Sequence, residues 1–189
     1  MVESRSSGQP QQEVHRQLRE DMHRTHARIA AIARGLDPEQ LVRRPAPDKW
    51  SVAHVLEHLL LMDELFLRAA EPLVRAARPD AAAPARAWRP SFIGKMIAGS
   101  LARPSPLKSP KVGRPATPRP AVVERFAEDG ARYEALLDDS ASLDWNAVRL
   151  RPPVAPWVPL KINLGDVFNI HTVHVQRHLG QIERVVATL

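Results

Sequence analysis

The chain has 189 residues with 27 Lys and Arg against 21 Asp and Glu, a formal charge of +6, eight histidines, eighteen prolines and no cysteine. Without cysteine there is no disulfide, thiolate metal site or cysteine nucleophile, so any metal must sit on His, Asp or Glu. The length suits one domain burying roughly 70% of its unfolded surface, and no apolar run approaches the ~20 residues that span a bilayer.

Positive charge is spread along the chain as arginines mixed with carboxylates, the pattern of a solvated surface rather than a nucleic-acid interface. The first residues, MVESRSSGQPQQ, are polar and lack the apolar stretch of a secretory signal. They read as a disordered lead-in over residues 1–12 of a cytoplasmic protein, with a single domain over 13–189.

Proline is excluded from helix interiors, so its distribution marks where helices can run. The first proline-free stretch, Glu13 to Leu36, places Val14, Leu18, Met22, Thr25, Ile29, Ile32 and Leu36 at helical steps of three and four. Gly35 and Asp37-Pro38 end it, with Asp37 placed to cap a short turn. A second helix starts at Ser51, a good N-cap, and runs through Val52, Val55, Leu56, Leu59, Leu60, Phe66 and Leu67 towards Leu73. Its wide apolar stripe marks it as central.

Prolines then recur from about 78 to 120, giving a long irregular insertion interrupted by about three turns of helix over 91–102. A third helix is expected over Ala121 to Asp138, weakened slightly by Gly130. The last begins after Asn163, with Asp166 in its first turn where a carboxylate favours the helix dipole, and carries Leu164, Val167, Phe168, Val175, Ile182 and Val185 inward. No strand-like alternation of similar length occurs. The expectation is an all-α, four-helix bundle with a long proline-rich connection between helices two and three.

His15, His23 and His26 lie among charged residues of the first helix and read as solvated surface. The remaining five form two groups, His54 and His58 on the second helix and His171, His174 and His178 on the last. Each group contains residues four apart, whose Cβ atoms lie roughly 5 to 6 Å from one another on an α-helix. His58 falls within the apolar stripe, and His174 and His178 flank Val175 and Leu179. Buried imidazoles without partners cost on the order of 1 to 3 kcal/mol each, and a shared metal would relieve that cost. His54 and His171 are candidates for the pocket or for support of the ligands. Asp63, five residues beyond His58, falls on another face, which argues against it as a fourth ligand. Glu57 and Glu64 are the other nearby carboxylates.

The segment KWSVAHVLEHLL, in which His58 stands eight positions after Trp50, resembles the start of helix two in the DinB-like superfamily of metal-binding four-helix bundles. HVQRHLGQI, residues 174 to 182, resembles that family's closing motif of two histidines four apart followed by Gly-Gln, here Gly180 and Gln181. The resemblance implies that His58, His174 and His178 bind a divalent ion, with nickel, zinc and iron the leading choices. Arg177 and Leu179 depart from the family pattern, which often has histidine and arginine at those places.

Three imidazoles leave at least one coordination position for water or a small thiol. By the resemblance, the chain is expected to be a thiol-dependent transferase or a hydrolase acting on a small-molecule substrate, with a low-molecular-weight thiol as a potential co-substrate. The alternative is a non-catalytic metal-binding bundle with a structural or sensing role. Trp50 is expected to anchor the end of the bundle, and Trp88, Trp145 and Trp157 to pack over it. Residues 102–120 carry positive charges and no negative ones, as a solubilising arm or an acidic-substrate loop would. Exposed apolar surface leaves room for a homodimer.

Overall fold

The computed structural model describes residues 8–103, 113–115, 117–118 and 121–189. Most of them are helical: α1 (Gln11–Arg34), α2 (Pro38–Val42), α3 (Val52–Ala76), α4 (Phe92–Leu101), α5 (Val122–Asp139) and α6 (Leu164–Val186). A two-residue antiparallel pair, β1 (Arg149–Leu150) and β2 (Ile162–Asn163), aligns Arg149 with Asn163 and Leu150 with Ile162. No helix among the described residues is long and apolar enough to cross a membrane.

The helix starts follow local chemistry. Asp37 and Gln40 form a reciprocal capping box at α2, Ser51 accepts from the His54 amide at α3, and Asn163 and Asp166 form a second capping box at α6. α1 begins at Gln11, two residues before Glu13, because its N-terminus is held by tertiary bonds. The Gln11 amide donates to the Arg86 carbonyl at 2.7 Å, and its side chain donates to the Leu143 carbonyl at 2.8 Å. Of the expected 1–12 lead-in, residues 1–7 lie outside the described residues, whereas Gln9 already accepts from the Trp88 amide.

α3 runs on through Pro72 to Ala76. The helix passes Pro72, as its expected course towards Leu73 required: Pro72 lies close to the helix end, and Val74 beyond it is buried. Within the proline-rich stretch the described residues form a 3₁₀ turn at Ala83–Ala85 and the expected helix, α4. Most of the basic segment 102–120 lies outside the described residues.

α5 and α6 each pack against both α1 and α3, and α4 lies along α6. One core region around α1, α3, α5 and α6 gathers Ile29, Val55, Leu56, Leu59, Phe126, Val175 and Ile182. A second gathers Leu18, Met22, Phe66, Leu67, Tyr133, Trp88, Trp145 and Phe168. Trp88 and Trp145 are fully buried, as packing required, and Trp88 Nε1 donates to Asn163 Oδ1 at 3.0 Å. Trp157 departs from expectation at 78% exposed. It sits in the turn between β1 and β2, where the strand pair draws the flanking chain inward and leaves the loop tip in solvent.

Candidate metal centre

The wide apolar stripe of α3 and the inward face of α6 bring His58, His174 and His178 together. All three are buried, at 2%, 8% and 6% exposure. The Nε2 atom of His174 lies 3.1 Å from Nε2 of His58 and 3.1 Å from Nε2 of His178. One ligand atom from each ring falls within 4.8 Å of the others, a spacing able to hold a metal ion.

The outer ring nitrogens fix the protonation pattern. His58 Nδ1 hydrogen-bonds the Gly113 carbonyl, which can only accept, so the ring carries its hydrogen there. His178 Nδ1 donates to Gln181 Oε1 at 2.9 Å. Burial, the leading cause in each case, lowers the pKa of all three rings. Burial, with the neighbouring imidazoles adding to it, brings His174 well down and His178 to about 3, and the Gly113 bond partly opposes the shift at His58. The rings are therefore neutral at neutral pH.

Neutral rings protonated at Nδ1 present bare lone pairs at Nε2. The lone pairs of His58 and His178 both face His174 Nε2, which has at most one hydrogen and can serve only one of them well. At least one lone pair in a buried site is left facing another nitrogen. A divalent cation satisfies this donor set, and tautomers fixed by a carbonyl and an amide are the usual support for metal-binding histidines.

Gly113 makes the first support feasible. A Cβ there would lie 2.6 Å from Met62 Sδ and 3.1 Å from both Cε1 and Nδ1 of His58, so only glycine lets the carbonyl approach this closely. The Trp50 ring stands 5.0 Å from the His58 ring, beside the centre rather than only at the end of the helices. Together with Met62 it gives the site apolar walls.

Comparison with known proteins bears on the same region. A family model described as the DinB superfamily matches residues 21–182. The chain belongs to the DinB superfamily. No curated protein and no solved structure matches it.

In this DinB chain the two departures from the family pattern have structural tasks. Arg177 Nη1 donates to the Arg103 carbonyl at 2.8 Å and the Leu101 carbonyl at 3.2 Å, gathering acceptors at the C-terminal end of α4. Leu179 packs against the core.

The two secondary histidine candidates are engaged elsewhere. Arg44 donates to His54 Nε2 at 2.7 Å, so His54 carries its hydrogen on Nδ1 and gives it to Ser51 Oγ, also at 2.7 Å. His54 thus ties the loop after α2 to the start of α3. His171, one turn before His174, bonds Asp63 Oδ1 through Nδ1 at 2.9 Å. Asp63 is outside the three-histidine group, as its place on α3 implied.

Around His171 lies a polar cluster that the sequence reading did not assemble. Tyr133 stacks on its ring with centroids 3.6 Å apart, and His26 lies 5.2 Å away. His26 corrects the surface reading: α1 is covered on two sides by α5 and α6, and burial lowers the His26 pKa to about 3. Gly130 makes the room, since a Cβ there would lie 2.9 Å from His26 Nδ1. His15 is partly buried near the Leu137 carbonyl, and His23 is exposed. The available signals were the wide apolar flank of α1 and the small residue at position 130.

Proposed function

We propose that this DinB protein is a metal-dependent enzyme, a thiol-dependent transferase or a hydrolase acting on a small molecule, with its divalent ion held by His58, His174 and His178. Nickel, zinc and iron suit a set of neutral imidazoles. The surrounding fold is read as a four-helix bundle with the proline-rich segment inserted between its second and third long helices. The observation that carries the reading is the meeting of three Nε2 atoms whose lone pairs cannot all be satisfied by one another.

When bound, such an ion supplies Lewis acidity towards a water or a small thiol at neutral pH. The chain's own residues prepare for it. Burial keeps the three imidazoles neutral, so none has to shed a positive charge before it ligates. Gly113 and Gln181 hold His58 and His178 in the tautomer that exposes Nε2, while Trp50 and Met62 limit water at the His58 side. Among the described residues no carboxylate joins the three-histidine group, which leaves the remaining coordination positions to exogenous ligands.

A second reading, an ion that fastens α3 to α6 without catalysis, is favoured by the near-complete burial of the three rings. Cobalt-substituted protein separates the two. An exchangeable position predicts that the cobalt absorption spectrum shifts when a small thiol is added or when pH carries a bound water through ionisation. A spectrum indifferent to thiols, small anions and pH would reject the enzyme in favour of the fastening role.

A further inference from the structure

A second cluster of chemistry lies beyond the three histidines. Asp63 of α3 is buried at 3% exposure, and its carboxyl is hydrogen-bonded to that of Asp129 on α5. Among the described residues neither forms an ion pair with lysine or arginine. Arg132, the nearest cation on α5, is taken by Glu71 at 2.6 Å and Glu64 at 2.8 Å. From α6, His171 gives Asp63 one neutral hydrogen bond. From α1, His26 is neutral, and on α5 Tyr133 stays protonated because burial raises its pKa. Asp129 Oδ2, Tyr133 Oη, His171 Nε2 and His26 Nδ1 have no hydrogen-bond partner.

Of these two carboxylates in contact, Asp63 is buried and Asp129 half-buried, and neither is ion-paired with lysine or arginine; one proton between them turns the repulsion into a hydrogen bond. We propose that Asp63 and Asp129 form an acid pair that shares a proton, a proton site built by α3 and α5 and closed by His171 of α6. His171, which bonds Asp63, lies one helical turn from His174 along α6. The site does not depend on metal, so it stands or falls separately from the proposed function.

Burial pushes Asp63 up to about 8, and burial followed by Asp63 itself pushes Asp129 to about 7. Because these folded values exceed the unfolded one of 3.8, the pair's contribution to stability is full below that value and declines as pH rises, the loss ending once pH has passed through the folded values. One proton released on unfolding corresponds to an unfolding constant that rises about tenfold per pH unit. The buried histidines act in the opposite sense and below about pH 6.5, the unfolded histidine value. The window from pH 7 to 8 therefore reports the carboxyls.

The test uses full-length, metal-free protein. Carbon NMR of the aspartate carboxyls from pH 4 to 9 should show two mutually coupled resonances titrating near 7 to 8, with the remainder titrating below 5. Denaturant unfolding should show the tenfold dependence between pH 7 and 8. Asp129→Asn removes the partner carboxyl while Asp63 stays buried, and should abolish the coupling between the two resonances and reduce that dependence. The wild-type spectrum decides the question even if the variant fails to fold. Titration of every aspartate below pH 6 would overturn the proposal, as would an unchanged slope in a folded Asp129→Asn protein.

Discussion

Gln181→Ala tests the support of the three-histidine centre without touching a proposed ligand. Gln181 Oε1 is the acceptor that holds His178 Nδ1–H at 2.9 Å, and so fixes which nitrogen faces the other rings. Removing such a support typically costs 10- to 100-fold in metal affinity. Gln181 is only partly buried, so water can replace its bond to His178, which puts the expected loss at the lower end. We expect affinity for zinc or nickel to fall about tenfold, equivalent to about 1.4 kcal/mol. Apo stability should change by less than about 1 kcal/mol, the usual range for a partly exposed side chain. Competition against a chelator of known affinity measures the first quantity and urea unfolding the second. Gln181→Glu keeps an acceptor and should retain most of the affinity. Unchanged affinity in Gln181→Ala, alongside abolished binding in His178→Ala, would refute the idea that this amide orients the ring.

Other outcomes follow from the packing. Gly165→Ala would place a Cβ 2.2 Å from Trp88 Nε1 and 2.6 Å from Cε2, against a rigid buried ring. It should cost about 1 to 3 kcal/mol in urea unfolding and shift the tryptophan fluorescence. His54→Ala breaks the tie from Arg44 through His54 to Ser51. It should lower stability by about 1 to 2 kcal/mol, the scale of lost buried hydrogen bonds, while metal stoichiometry stays at the wild-type value. His26 is neutral in the fold, with its pKa lowered to about 3, and its contribution is present above the unfolded value and lost as pH falls. Between pH 7 and 5.5 it should account for about 1.2 kcal/mol of lost stability, so His26→Gln should show a pH profile shallower by that amount. Identical profiles would mean that folding leaves the His26 pKa unshifted.

The helices were legible because their signals are local. Ser51 and Asn163 announced the starts of α3 and α6, and the apolar steps from Val14 to Ile32 announced α1. His58, His174 and His178 were legible for a related reason: helical spacing and an apolar setting marked them, and the family motifs selected them. What could not be read depends on contacts between distant elements. The Gly113 carbonyl reaches His58 across fifty-five positions, and His171 meets Asp63 across 108. His26 looked solvated because its sequence neighbours are charged, yet burial on a helix is decided by what packs against each flank. Gly130, which seemed only to weaken α5, is the small residue that lets the His26 ring lie against that helix.

The central claim is that His58, His174 and His178 together hold one divalent ion. Metal content of purified protein, expressed with nickel, zinc or iron and measured beside His58→Ala, His174→Ala and His178→Ala, tests it most directly. The account predicts about one ion per wild-type chain and a large loss in every variant that remains folded by circular dichroism. Wild-type protein without stoichiometric metal under any of the three supplies, or folded variants that all keep their ion, would contradict it.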